Sequence, residues 1–305
     1  MEKEYHADNW SFYNGDCVEI VSQLPDKSVD YSIFSPPFAN MFVYSDSLED
    51  MGNCKDMDDF INHFRFLVIQ LKRVIKDGRN VSVHCMNLPI KKGVEGYIGL
   101  RDFRGEIIKL FMECGFIYHS EVCIWKDPLL QAVRTKTLGL SHKQLCKDST
   151  LSQQGLPDYV ITFRNTGENL IPISKPAGFE GVAYPGKYNE ELMKSGNYSH
   201  NFWRKIASPV WGDIRQTRTL NYKHARSEND ERHICPLQTD VIDRCVMLWS
   251  NPDDVVLTPF GGIGSEVHQS LLLGRKAIGV ELKENYYNAA IENCNSIPNS
   301  LDEFF

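Results

Sequence analysis

A mostly parallel, doubly wound α/β sheet is the fold this sequence predicts, and three observations predict it. Apolar, β-branched runs of strand length alternate with stretches whose apolar residues recur at helical spacing. One unit, Asp253 to Leu282, reads strand, glycine turn, helix, strand, and carries an acid, Glu281, at the carboxyl end of its second strand. That unit lies near the end of the 305 residues, so the remaining strands must come from earlier in the chain and the fold is entered in its middle.

Phe12 to Gly15 is a short strand candidate ending at Asp16. Val18 to Leu24 is helical by its apolar residues at 18, 20, 21 and 24, until Pro25-Asp26-Lys27-Ser28 breaks it. Val29 to Phe34 is a strand that runs straight into Ser35-Pro36-Pro37-Phe38. Two successive prolines have no amide hydrogen for a ladder, so the strand must stop and its last carbonyls must point elsewhere. A rigid corner at a strand's carboxyl end is where open α/β sheets keep their chemistry. Ala39 to Asp56, rich in Asn, Ser, Asp and Gly, reads as a loop beside that corner. Met57 to Ile75 is a helix closed by Asp77-Gly78, and Val81 to Met86 the next strand. Phe103 to Met112 follows as a helix, with Ile117 to Trp125 and Asp158 to Phe163 as strands. Thr239 to Trp249 is a helix; Val255 to Leu257, Glu266 to Leu273 and Ala277 to Val280 complete the glycine unit.

A composition of 42% hydrophobic and 24% charged residues is that of an ordinary globular protein. Apolar runs are short and Met1-Glu2-Lys3-Glu4 is polar, so neither a membrane span nor a signal peptide is expected, and the location expected is cytoplasmic. Nine cysteines are scattered without a CxxC pair, which predicts thiols in a reducing compartment and no metal site. A net charge of −7 argues against indiscriminate coating of nucleic acid, but the sign reverses locally. Lys126 to Gly155 is basic, and Asn201 to Arg226 mixes Phe202, Trp203 and Trp211 with Arg204, Lys205, Arg215, Arg218, Lys223 and Arg226. Asp213 is the only acid in that second stretch, so six bases less one acid leave a surplus of five. Bases interleaved with aromatics suit a nucleic-acid backbone; a solvated surface loop is the alternative.

The glycine turn has chemistry of its own. Glycine lets backbone amides approach a ligand without a Cβ in the way, and an acid at Glu281 can accept both hydroxyls of a ribose. The third spaced glycine of a dinucleotide fingerprint is missing, so an adenosine without a pyrophosphate fits better.

Ser35-Pro36-Pro37-Phe38 followed much later by Phe260-Gly261-Gly262-Ile263-Gly264 resembles the beta class of S-adenosylmethionine-dependent DNA amino-methyltransferases. In that class the catalytic segment comes first, a target-recognition region follows, and the cofactor segment comes last. The resemblance implies a Rossmann-like, circularly permuted fold: a catalytic half at 1–164, a target-recognition insertion at 165–232 and a cofactor-binding half at 233–305. It implies S-adenosyl-L-methionine among Asp16, Pro259, Phe260, Gly262, Gly264 and Glu281, with Pro236 to Leu248 as a helix over its methionine end. Thr258 departs from the Asp that family members often carry there. Double-stranded DNA is the implied substrate, held by Arg204, Lys205, Arg215, Arg218, Lys223 and Arg226.

Ser35, Pro36, Pro37 and Phe38 are the implied catalytic residues. Hydrogen bonds from a base's amino group to the Ser35 side chain and the Pro36 carbonyl would favour a tetrahedral nitrogen, freeing its lone pair for in-line attack on a sulfonium methyl. The base must leave the duplex, and Phe38 would stack on it. No cysteine nucleophile is needed, and the Pro-Cys dipeptide of a carbon-5 enzyme is absent. Ser rather than Asp at position 35 resembles members that methylate cytosine at N4, with adenine N6 close behind. An RNA or a protein amide as substrate, or a non-catalytic DNA-binding module, stays open, as do a homodimer and a cognate restriction enzyme as partners.

Overall fold

A computed structural model describes residues 3–37, 54, 56–90, 92–176, 178–179, 198–220 and 236–297. Its strands are β1 (Lys3–His6), β2 (Trp10–Asn14), β3 (Val29–Phe34), β4 (Ile75–Met86), β5 (Leu88–Ile90), β6 (Gly99–Arg101), β7 (Ile117–Ile124), β8 (Asp158–Arg164), β9 (Val210–Trp211), β10 (Val255–Thr258) and β11 (Lys276–Glu281). Nine of them form one sheet in the order β1-β2-β11-β10-β3-β4-β8-β7-β9, and β5 and β6 pair separately. The run β2-β11-β10-β3-β4 is parallel throughout, whereas β1 and β8 run against their neighbours, so the sheet is mixed but mostly parallel.

The sheet is loaded on both faces. On β3, Phe34 joins a core with helices Cys17–Gln23, Met57–Val74 and Phe103–Glu113, while Tyr31 and Ile33 face helix Thr239–Trp249 on the other side; Val29 joins the first core because the register shifts between it and Tyr31. Helices Ser265–Leu272 and Glu284–Asn295 cover that second face beside β2 and β11, through Val267, Tyr287 and Ala290. Covered on both faces, β3 is buried at all six positions, and its two polar residues are satisfied there: Asp30 accepts from Lys76 and the Val255 amide, and Ser32 donates to the Leu257 carbonyl.

The winding reverses between β10 and β3. From β10 the chain crosses to β11 on one side; from β3 it crosses to β4 on the other. That is a topological switch point, where the outgoing loops diverge and leave a crevice at the carboxyl ends.

Some expectations change. Asp77-Gly78 does not separate helix from strand: β4 already begins at Ile75, and Gly78, at φ +66, lies within an irregularity where Val29 faces Ile75 but Tyr31 faces Asn80. Helix Glu284–Asn295 has no counterpart in the sequence reading although Tyr286, Tyr287, Ala290 and Cys294 are spaced for it. Helix Pro128–Thr135 starts on an Asp127 cap followed by proline, and helix Tyr198–Ile206 opens the second basic stretch. Among the described residues no helix is long and apolar enough to cross a membrane.

Candidate active site

Two loops leave the switch point side by side. Leu257 of β10 pairs with Ser32 of β3, so Ser35 and Phe260 emerge at matching levels, and the Phe260 ring lies 5.6 Å from Phe34 and 6.2 Å from Phe64. Pro259 is buried behind it. Beyond β10, Glu281 of β11 pairs with Asn14 of β2, whose side-chain amide donates to the Glu281 and Leu282 carbonyls at 2.9 Å each. Asp16 follows directly and caps helix Cys17–Gln23, its Oδ1 accepting from the amides of Val18 and Glu19 at 2.8 and 2.9 Å. The two acids therefore stand at neighbouring strand ends.

The Glu281 carboxylate is fixed by backbone. Gly262 N–H donates to Oε2 at 2.8 Å and Lys283 N–H to Oε1 at 2.9 Å. Each carboxylate oxygen has a second lone pair, so these bonds aim the group without exhausting it.

The glycines divide their labour. A Cβ on Gly261 would come within 2.5 Å of the Phe12 ring, and one on Gly264 within 3.0 Å of Ala290 Cβ. Those two are packing glycines, and Gly264, at φ +86, also starts helix Ser265–Leu272 without a side-chain cap. Gly262, at φ +50, would put a Cβ into open space with nothing within 4 Å. Of the glycines predicted to meet a ligand, Gly262 thus faces room for one, whereas Gly264 faces a helix. Thr258 and Ser265, on either side of the turn, keep buried hydroxyl oxygens without a hydrogen-bond partner among the described residues. Open space, orphaned hydroxyls and a fixed carboxylate fit a small polar ligand with hydroxyl groups.

The Ser35 corner holds residues the sequence reading missed. Ser35 Oγ lies 3.0 Å from His84 Nδ1 and 3.3 Å from the His84 carbonyl; His84 Nε2 lies 3.0 Å from Asp158 Oδ2; and Lys126 Nζ reaches the same Asp158 oxygen at 2.5 Å. Burial pushes the Asp158 carboxyl up, but the His84 hydrogen bond and the Lys126 charge outweigh it and hold the group below its usual range. Strand pairing builds the constellation, since Met86 of β4 opposes Asp158 of β8 and brings His84 alongside. Lys126, which opens the first basic stretch of the sequence, is buried and paired with Asp158. The available signal was a histidine at the carboxyl end of an apolar strand. Pro36 is buried and Pro37 half-buried, and Phe38 lies outside the described residues.

Two bases of the second basic stretch, Arg215 and Arg218, are paired with acids from elsewhere. Arg215 donates to Asp240 from its amide, Nε and Nη2, and Arg218 Nη1 bridges Asp240 Oδ1 at 2.5 Å and Asp243 Oδ2 at 2.9 Å. Asp213 accepts from Arg244 Nη2 at 2.8 Å and pairs with Lys205 at 3.0 Å, and the Arg244 guanidinium stacks 5.1 Å from the Trp211 ring. Arg204 is exposed. Lys223 and Arg226 lie outside the described residues.

Fold and site together place a glycine turn with a fixed carboxylate beside a polar, proline-stiffened corner at the switch point of an open α/β sheet. The chain belongs to the N6/N4 DNA methylase family, whose model matches residues 29–292. It is 25% identical over 281 residues to the type II methyltransferase M.BamHI of Bacillus amyloliquefaciens, covering 91% of this chain and 56% of that protein. M.BglII of Bacillus subtilis, a type II methyltransferase, is 23% identical over 293 residues, 96% of this chain and 71% of its own length. The chain therefore spans little more than half of the first relative and under three quarters of the second. Among solved structures, the Thermus thermophilus protein TTHA0409 complexed with S-adenosyl-L-methionine superposes with a TM-score of 0.63 at 18% identity, covering 94% of this chain and 95% of its own. The cytosine-N4-specific PvuII DNA methyltransferase superposes with a TM-score of 0.64 at 16% identity, covering 98% of this chain and 91% of its own.

Proposed function

We propose that the protein methylates an exocyclic amino group of a base flipped out of double-stranded DNA, with cytosine N4 as the favoured target. The observation that carries this reading is the juxtaposition across the switch point of the Gly262–Glu281 cradle and the Ser35-Pro36 corner. S-adenosyl-L-methionine, when bound, supplies a methyl group made electrophilic by its sulfonium. Glu281 would take the ribose hydroxyls, Asp16 would border the adenine, and Phe260 would pack beside the cofactor. Ser35 Oγ and the Pro36 carbonyl would accept the two amino hydrogens of the base, leaving its lone pair free for in-line attack. Cytosine is favoured because Ser occupies position 35, as in the family members that act at N4.

The order of the two loops along the chain supports a circularly permuted domain with a target-recognition insertion at 165–232. The relatives' description as type II methyltransferases supports a role in restriction–modification, with a cognate nuclease as a separate partner. Incubation with unmethylated duplex DNA and labelled cofactor, then digestion to nucleosides and mass spectrometry, tests the reading. N4-methyl-2′-deoxycytidine is expected; N6-methyl-2′-deoxyadenosine alone would change the base. No methylated nucleoside from protein with bound cofactor would overturn the reading. Ser35→Ala should slow turnover on the order of 10²-fold or more with cofactor affinity unchanged.

A further inference from the structure

We propose that Lys126, Asp158 and His84 form a directional hydrogen-bond chain that makes the Ser35 hydroxyl an obligate acceptor toward the target amino group. The proposal rests on the reading of Ser35 as the residue that meets that group. It is carried by the geometry of four residues drawn from β4, β8 and the segments after β3 and β7.

The direction follows from what each group can donate. An ionised carboxylate only accepts, and Asp158 Oδ2 already receives the Lys126 ammonium at 2.5 Å. His84 Nε2, 3.0 Å from the same oxygen, must then carry its hydrogen. The hydrogen-bond chain takes His84 as the neutral imidazole, which has one N–H, so Nδ1 is left as an acceptor. Ser35 Oγ, 3.0 Å away, has to donate to it. The nearby His84 carbonyl at 3.3 Å is a second acceptor for the same hydrogen and pulls it the same way, off the substrate side.

A hydroxyl has one hydrogen and two lone pairs. With the hydrogen committed to His84, only lone pairs remain for the base. An uncommitted Ser35 could instead donate its hydrogen to the amino nitrogen, occupying the lone pair that must attack the methyl. A carboxylate at position 35 would have no hydrogen to misplace and would need no such chain. His84, Asp158 and Lys126 are therefore positioning residues that let a serine act as an aspartate would.

The test reads the tautomer and the rate separately. Nitrogen-15 spectra of histidine-labelled wild-type protein should show His84 with its hydrogen on Nε2; a hydrogen on Nδ1 overturns the proposal, and this measurement needs no variant to fold. Asp158→Asn offers Nε2 an amide donor, so the hydrogen should move to Nδ1. Its kcat should then fall on the order of 10²-fold while KM for DNA and the cofactor Kd stay within about twofold. Wild-type turnover in Asp158→Asn would overturn the chain. Ser35→Ala keeps the two readings apart: slow Ser35→Ala with fast Asp158→Asn sinks the chain alone, whereas fast Ser35→Ala sinks the assignment of the corner itself.

Discussion

Glu281 and Asp213 are both acids held in fixed positions, one by backbone and one by side chains. Glu281 accepts from the amides of Gly262 and Lys283, groups supplied by the glycine turn and by its own chain two residues on. Asp213 accepts from Arg244 and Lys205, which come from two different helices. A carboxylate bound by amides can still serve a ligand through its remaining lone pairs. One bound by a guanidinium that is itself wholly buried is structural, because its charge is the partner's reason for being there. The same residue class is thus placed to serve a ligand in one region and is a fastener in the other, and the donors distinguish them.

Removing the fastener should have the largest effect. Asp213→Ala takes away the carboxylate facing the 0%-exposed Arg244 side chain, and breaking such a pair should cost about 3 to 5 kcal/mol in denaturant unfolding. The difference from wild type should be pH-dependent. Burial raises the Asp213 carboxyl, but Arg244 and Lys205 more than offset it and the net shift is downward from 3.8. A depressed carboxyl contributes stability at pH values above its unfolded pKa and loses it as pH falls through the folded one, so the gap should narrow only in acid below about pH 4. Asp243, the residue before Arg244 in the same helix, is pushed the other way, to about 6, mainly by burial, so its contribution to stability declines as pH rises from about 4 to about 6 and is constant above. A gap that stays constant down to about pH 3 would mean that Asp213 is not paired in solution.

Within the glycine turn, two alanines should separate packing from binding. Gly264→Ala combines a positive φ, roughly 1 to 2 kcal/mol for a side chain, with overpacking against Ala290, roughly 1 to 3 kcal/mol, and should lower stability accordingly. Gly262→Ala should incur only the first of these, since its Cβ meets nothing. That methyl would project into the space assigned to the cofactor, so Gly262→Ala should lose cofactor affinity with the smaller loss of stability. Equal stability losses without a difference in cofactor binding would mean that neither glycine lines the cradle.

What could be read from sequence divides along the same boundary. The corner and the turn were legible because prolines and glycines act on their own backbone, and strand ends place them without regard to distant partners. The parallel core strands were legible because β3, β10 and β11 are short runs dominated by apolar residues and bounded by turn signals. His84, Asp158 and Lys126 were not, because they meet only through the pairing of β4 with β8. Arg215 and Arg218 were counted as surplus charge because Asp240 and Asp243, which take up that charge, lie beyond the stretch that was counted. A charge balance over consecutive residues cannot see a helix that packs across it.

Glu281→Ala should weaken S-adenosyl-L-methionine binding by roughly 1 to 3 kcal/mol in calorimetry, the scale of leaving buried hydroxyls without partners. It should also free the Gly262 amide, so part of the loss would come from a less ordered turn. Gly262→Ala combined with Glu281→Ala should therefore cost less than the sum of the two. Unchanged affinity in Glu281→Ala would remove the acid from the cradle.

The smallest effect concerns DNA and returns to the basic stretch. Each lysine or arginine that neutralises a phosphate steepens the fall of log affinity with log salt by about one. Arg215 and Arg218 have acids beneath them, and a phosphate would have to compete with Asp240 at hydrogen-bond distance from both. Arg204, exposed on helix Tyr198–Ile206, meets no such competitor among the described residues. Arg204→Ala should therefore flatten the salt slope of duplex binding by about one and leave stability within about 0.5 kcal/mol. Arg218→Ala should do the opposite, lowering stability with little change in slope. A slope that falls for Arg218→Ala and holds for Arg204→Ala would show that DNA binding pulls the arginines away from Asp240, and that what is a fastener in the free protein becomes a contact on DNA.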